Sequence, residues 1–176
     1  MMTTLKRYSF LLLTLVLISC AQVEEKEEVY QEEIFIENSG FFRGYKLGCL
    51  PDSVLAAEKW IPVVSNDSTI EYHEEVVLLD DTVMLNAYLA FDTYGLFEVQ
   101  VDVFTNDDTL SNSIIENWST RLTDPFGEYE SILTSRRWTT FSQSNSTIEI
   151  TLSQEQNNQR KKFISLNYLE PLNDEY

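Results

Sequence analysis

The residues with the most chemical potential are few. His73 stands between Glu71 and Glu75 at two-residue spacing, which on a strand puts all three side chains on one face. A carboxylate-flanked imidazole can act as a general base or bind a metal. It is the chain's single histidine, and no thiol cluster accompanies it, so a surface histidine among acids is the better reading. Asp80-Asp81, Asp92 and Asp107-Asp108 offer oxygen ligands, yet they lie between apolar runs without the spacing of a calcium loop, where aspartate is a good turn residue. Cys49 has no base near it in sequence and reads as a small buried apolar residue. Gly-x-Ser-x-Gly, His-Glu-x-x-His and a phosphate-binding glycine loop are missing. The sequence therefore predicts no catalytic residues, no metal, no cofactor and no enzyme activity.

Cys20 belongs to different chemistry. Lys6 and Arg7 precede an apolar run from Phe10 to Ile18, and Ser19 supplies a small residue just before the cysteine. This order of charge, apolar core and small residue is that of a signal peptide over residues 1–19, too short to span a bilayer stably. Leu17-Ile18-Ser19-Cys20 resembles the lipobox of bacterial lipoproteins, in which the cysteine sulfur is diacylated, the preceding peptide is removed and the new amino terminus is acylated. Several acyl chains hold a protein firmly on a membrane where one holds it marginally. The expectation is a lipoprotein attached to the membrane through Cys20, with a folded part that never enters the bilayer.

Loss of residues 1–19 takes Lys6 and Arg7 with it, so 12 basic residues become 10 against 29 acidic ones, and a net charge of −17 becomes about −19. Such a surface repels phosphate backbones and anionic headgroups, which argues against nucleic acid and favours a cationic partner. With Cys20 acylated, Cys49 has no thiol to pair with and no internal disulfide can form.

Residues 20–33 read as an acidic tether, with Glu24, Glu25, Glu27, Glu28, Glu32 and Glu33 opposed by Lys26. Lys26-Glu27-Glu28 resembles the short acidic export signal that follows the cysteine in surface-exposed lipoproteins of Bacteroidota. The implied location is the outer membrane, on its outer surface or facing the periplasm.

The remaining chain, 34–172, reads as one α+β domain. Ile34-Phe35-Ile36 predicts a short strand, and Pro51, Asp52, Val54, Leu55 and Glu58 predict a helix over about 51–59. Alternation predicts strands over 70–79, 83–91 and 97–104, clearest in Val83, Leu85, Ala87, Leu89 and Phe91. Ile114, Ile115, Trp118 and Leu122 share one face of a second helix over 111–122, stopped by Asp124-Pro125. Strands follow over 136–141, 147–152 and 163–169. The expected architecture is two-layer: an antiparallel sheet of about six to seven strands with two helices packed on one face. Ser53-Val54-Leu55, Trp60 and Ser68-Thr69-Ile70-Glu71 recur 78 residues later as Ser131-Ile132-Leu133, Trp138 and Ser146-Thr147-Ile148-Glu149, a weak internal echo. Phe41, Phe42 and Tyr45, in a glycine-rich stretch, are the candidate binding edge.

The run Phe42-Arg43-Gly44-Tyr45-Lys46-Leu47-Gly48, the meander reaching Tyr88 and Phe91-Asp92, Leu122-Thr123-Asp124-Pro125-Phe126-Gly127, Trp138, Ile148-Glu149-Ile150-Thr151-Leu152 and Tyr168 resemble a group of uncharacterised envelope lipoproteins of Bacteroidota type. Leu50 departs from that pattern, standing where those proteins place a capping serine. The layout is also similar to two-layer envelope modules such as the outer-membrane assembly lipoprotein BamE and the β-lactamase inhibitor protein. The resemblance implies fold and location, and no catalytic residues. The favoured function is a lipid-anchored, non-catalytic binding or scaffold module with an envelope protein partner; the alternatives are a protein inhibitor of a cationic lytic enzyme of lysozyme type and, last, an unrecognised enzyme relying on its carboxylates, whose turnover would have to depend on His73 or Asp92.

Overall fold

The computed structural model describes residues 34–35, 41–142, 145–157 and 161–171. The expected signal peptide, Cys20, the tether, the Lys26-Glu27-Glu28 signal and Ile36 lie outside these residues. The elements run α1 (Pro51–Ala57), β1 (Val64–Ser65), β2 (Thr69–Leu78), β3 (Asp81–Asp92), β4 (Gly95–Phe104), α2 (Asp108–Phe126), β5 (Glu130–Ile132), β6 (Ser135–Phe141), β7 (Thr147–Gln156) and β8 (Lys162–Leu169).

The strands form one antiparallel sheet in the order β1-β2-β3-β4-β8-β7-β6-β5. Among the described residues it has eight strands rather than six to seven. The two additions, β1 and β5, are edge strands of two and three residues, too short to carry an alternating pattern. Of the strand expected at Ile34, a single bridge remains among the described residues, Phe35 with Phe42.

Each half of the chain is a helix followed by a four-stranded meander, and the halves join where β4 pairs with β8. The 78-residue echo does not follow this plan. It sets Ile70 of β2 on Ile148 of β7, so a second strand falls on a third.

Register sorts the sheet into rows. Ile70, Leu89, Val99, Tyr168, Ile150 and Trp138 are successive cross-strand neighbours and all are buried. Tyr72, Ala87, Val101, Leu166 and Leu152 form the next buried row. Each large apolar side chain so buried contributes about 1.5–3 kcal/mol. β2 to β4 are covered by the glycine-rich segment and the residues around α1, with Trp60 set edge-on against Tyr72 and tilted against Phe42. β6 to β8 are covered by α2, whose Ser111, Ile114, Trp118, Ser119 and Leu122 are buried at helical spacing.

Both helices differ from expectation at their ends. α2 begins three residues early because the Asp107 carboxylate accepts from the N–H groups of Thr109 and Leu110 at 2.7 and 3.1 Å, making a helix cap of a residue read as a turn. It also runs through Pro125. The missing N–H falls in the last turn beside exposed Arg121, and Gly127 closes the helix by donating to the Thr123 carbonyl at 2.9 Å. α1 starts after Leu50 with no side-chain cap, relying on Pro51, and ends at Ala57 rather than 59.

Candidate functional site

The opposite parity of the same strands builds the other face of the sheet, which neither described helix covers. Its central row is His73, Asn86, Asp102, Ser165, Ser153 and Ser135; beside it runs Glu71, Tyr88, Gln100, Asn167, Thr151, Arg137 and Glu130. On the other side of the central row lie Glu75, Met84, Phe104, Phe163 and Glu155, with the Phe104 and Phe163 rings 5.5 Å apart. Glu71, Glu75, Glu98, Asp102, Glu130, Glu149 and Glu155 are opposed by Arg137 alone among the described strand residues of this face, so the surface is strongly acidic.

Asp102 lies at the centre. Its Oδ1 accepts from the Ser165 hydroxyl at 2.7 Å and the Gln100 amide at 3.1 Å, and Gln100 also reaches Oδ2 at 3.0 Å. Ser165 and Ser153 are themselves buried. Burial raises the Asp102 carboxyl above its ordinary value, the bonds from Ser165 and Gln100 pull it back in part, and the charge of Glu155 raises it again. Neighbouring carboxylates are held the same way, by neutral donors: Asn167 to Glu98 at 2.7 Å and Ser153 to Glu155 at 2.8 Å. No cationic group bonds Asp102 among the described residues.

His73 is exposed on this face, with Glu71 and Glu75 beside it along β2. It is two strands from Asp102, roughly 10 Å at ordinary strand spacing, so the pair makes no base–carboxylate dyad. Among the described residues no cluster of His, Cys, Asp and Glu has the geometry of a metal site. The other acids serve local structure. Asp92 accepts from the Tyr94 N–H at 2.7 Å, Asp107 caps α2, and Asp108 pairs with Lys162 at 2.5 Å.

The expected aromatic edge lies largely in the core. Phe42 and Tyr45 are buried, and the half-buried Phe41 packs between Phe126 of α2 and Tyr168 of β8. The physical reason is a buried polar clamp. Arg43 donates two bonds to Glu58 at 2.7 and 2.9 Å, its guanidinium lies 4.3 Å from the Trp60 ring centre, and the Tyr45 hydroxyl donates to the same carboxylate. Burial pushes the Glu58 carboxyl up, but Tyr45, the N–H groups of Trp60 and Lys59, and Arg43 together hold it below its ordinary value. The Tyr72 hydroxyl beside this cluster is buried without a hydrogen-bond partner among the described residues; burial first, and then the Glu58 charge, push it up to about 12. Cys49 packs against the core, and burial raises its thiol, the opposite of an activated nucleophile.

A cleft of about 410 Å³ opens at one end of the sheet between Asp81, Thr82, Phe104, Asn106 and Lys162. It is shallow and polar, without a convergent catalytic set.

Asp102, Ser165, Asn86 and Asn167 were not singled out from sequence, although a signal was present. Inward Val99, Val101 and Val103 force Gln100 and Asp102 outward, as Ile164, Leu166 and Tyr168 force Ser165 and Asn167. What sequence does not carry is that β4 lies beside β8. Comparison with family models, curated proteins and solved structures finds no match to this chain.

Proposed function

We propose that this protein is a lipid-anchored, non-catalytic binding module of the bacterial cell envelope, held at the outer membrane through Cys20 and engaging an envelope protein through the open face of its sheet. The carrying observation is that face: six of the eight described strands contribute to its central polar row, which no described helix covers, and the flanking rows add carboxylates together with exposed Met84 and Tyr88 and half-buried Phe104 and Phe163. Polar groups held in place by cross-strand hydrogen bonds, with aromatic side chains among them, suit protein recognition. The acidic tether, with Lys26-Glu27-Glu28 as its export address, supplies reach between lipid and fold.

The test places a photo-cross-linking phenylalanine at Tyr88 on the open face and, separately, at exposed Asn112 of α2 on the opposite side. In cells, the Tyr88 position is expected to trap a discrete protein and the Asn112 position is not. Equal trapping from both would overturn the reading.

The excess of carboxylates on this face supports the second reading, inhibition of a cationic lytic enzyme. A negative surface steers a basic enzyme onto a tethered decoy, and that attraction weakens as salt screens it. Excess protein should then slow a basic lysozyme at low salt and lose the effect at high salt; full lysozyme activity at low salt would exclude it.

A further inference from the structure

We infer that Asp102 is the seat for an arginine side chain presented by the protein partner. The inference rests on the docking role of the open face and names the chemistry at its centre.

A half-buried carboxylate in a folded chain is ordinarily matched by a cation or by enough donors to replace its water. Among the described residues Asp102 has two donors, both neutral, Ser165 and Gln100, and these crowd Oδ1 while Oδ2 receives a single shared amide bond. An ionised carboxylate accepts about four hydrogen bonds, so acceptor capacity remains on Oδ2. The neighbours fit what arrives there. Asn86 lies directly across from Asp102 on β3. Phe104 lies two residues along the same strand on the same face, paired across strands with Phe163. A guanidinium is planar, always charged and weakly hydrated; it can pair with a carboxylate through one edge while stacking its face on an aromatic ring. A compact ammonium uses the charge alone and leaves the ring pair unused. The surrounding carboxylates Glu98, Glu149 and Glu155 add attraction at longer range.

The experiment titrates acetylarginine amide into the isotope-labelled mature protein and follows amide resonances, with acetylcitrulline amide as the uncharged twin of the same shape. Shifts are expected at Asp102, Ser165 and the Gln100 side-chain amide with arginine, and none with citrulline. Asp102→Asn should weaken the response about 10-fold or more, whereas Glu149→Gln, which removes the same charge from the margin of the face, should weaken it less than 2-fold. Equal losses from the two variants would show general attraction to an acidic surface, and shifts elsewhere or in both probes would also overturn the seat. Should Asp102→Asn fold poorly, Ser165→Ala, which keeps the carboxylate and frees Oδ1, is expected to retain the arginine response; its loss would count against the inference. Cross-linking from Tyr88 keeps the two ideas separate. A partner trapped equally well by the Asp102→Asn protein leaves the docking face standing and removes the arginine seat.

Discussion

Ser165 and Asp102, 63 positions apart in sequence, are joined by a 2.7 Å hydrogen bond across the central β4–β8 seam. The bond links the two halves of the protein on the side away from the core. It also orients a carboxylate that burial raises above its ordinary pKa of 3.8.

That raised value has a definite consequence for stability. The folded protein holds the Asp102 proton more tightly than the unfolded chain does, so stability falls as pH rises from about 3.8 through the raised folded value. Asp102→Asn removes this dependence and is expected to melt at the same temperature as the parent or higher at pH 7. A drop of more than about 3 °C, equivalent to about 1 kcal/mol in a domain of this size, would contradict it. Ser165→Ala should cost about 1 kcal/mol, measured by chemical denaturation.

Glu58 behaves in the opposite sense. Its folded pKa lies below the ordinary 4.5, so the clamp's contribution is present above that value and lost as pH falls through the depressed one. Arg43→Met leaves the Glu58 side chain, only 2% exposed, without its cation, and should cost about 3 kcal/mol at pH 7. The difference between variant and parent should shrink below pH 4.5. Urea unfolding at pH 7 and pH 3 measures both, and a cost that does not change with pH would refute the clamp's ionic character.

Gly95 tests the strap that leads into α1. The Gly48 N–H donates to the Leu96 carbonyl at 2.7 Å, and the Leu96 N–H donates to Cys49 at 2.8 Å, so the glycine-rich segment runs directly against the start of β4. A Cβ on Gly95, where φ is +117°, would lie 2.6 Å from the Gly48 carbonyl carbon and 2.9 Å from the Cys49 oxygen. Gly95→Ala should therefore cost about 3 kcal/mol. Gly127→Ala, at φ +80° with open space around it, should cost only about 1 kcal/mol. Similar losses from both would show that backbone angle, and not crowding, sets the penalty.

The proposed anchor and the proposed export address can be tested separately. Cys20→Ser is expected to move the protein from the membrane fraction to the soluble fraction of the envelope. Replacing Lys26, Glu27 and Glu28 by alanine should leave it membrane-bound but protected from protease added to intact cells. Cleavage of that variant as fast as the parent would show that surface display does not depend on these three residues.

Local pattern carried most of the architecture. Period-two alternation located β2, β3, β4, β7 and β8 to within a few residues, because each buries one face only. α2 was legible from its buried stripe, but not its first turn, since Asp107 suits a turn and a helix cap equally well. β1 and β5 left no trace, their few residues being mostly exposed. The candidate site was hidden for another reason. Outward polar residues on a strand look alike until strand order is known, and only the β4–β8 pairing turns Asp102 and Ser165 into neighbours. The glycine-rich aromatics misled because exposure was read from the glycines around them, whereas Arg43 and Glu58 draw that segment inward.

The β4–β8 seam bears on how the chain acquires its fold as well as on what it binds. β8 is the last of the described strands in chain order yet occupies the middle of the sheet, so the β4 edge cannot be covered until nearly all of the second meander has been made. Contacts at such sequence separation form late and slowly. A chain emerging from its amino end would thus leave β4 as an unpaired edge until β8 emerged to join the halves.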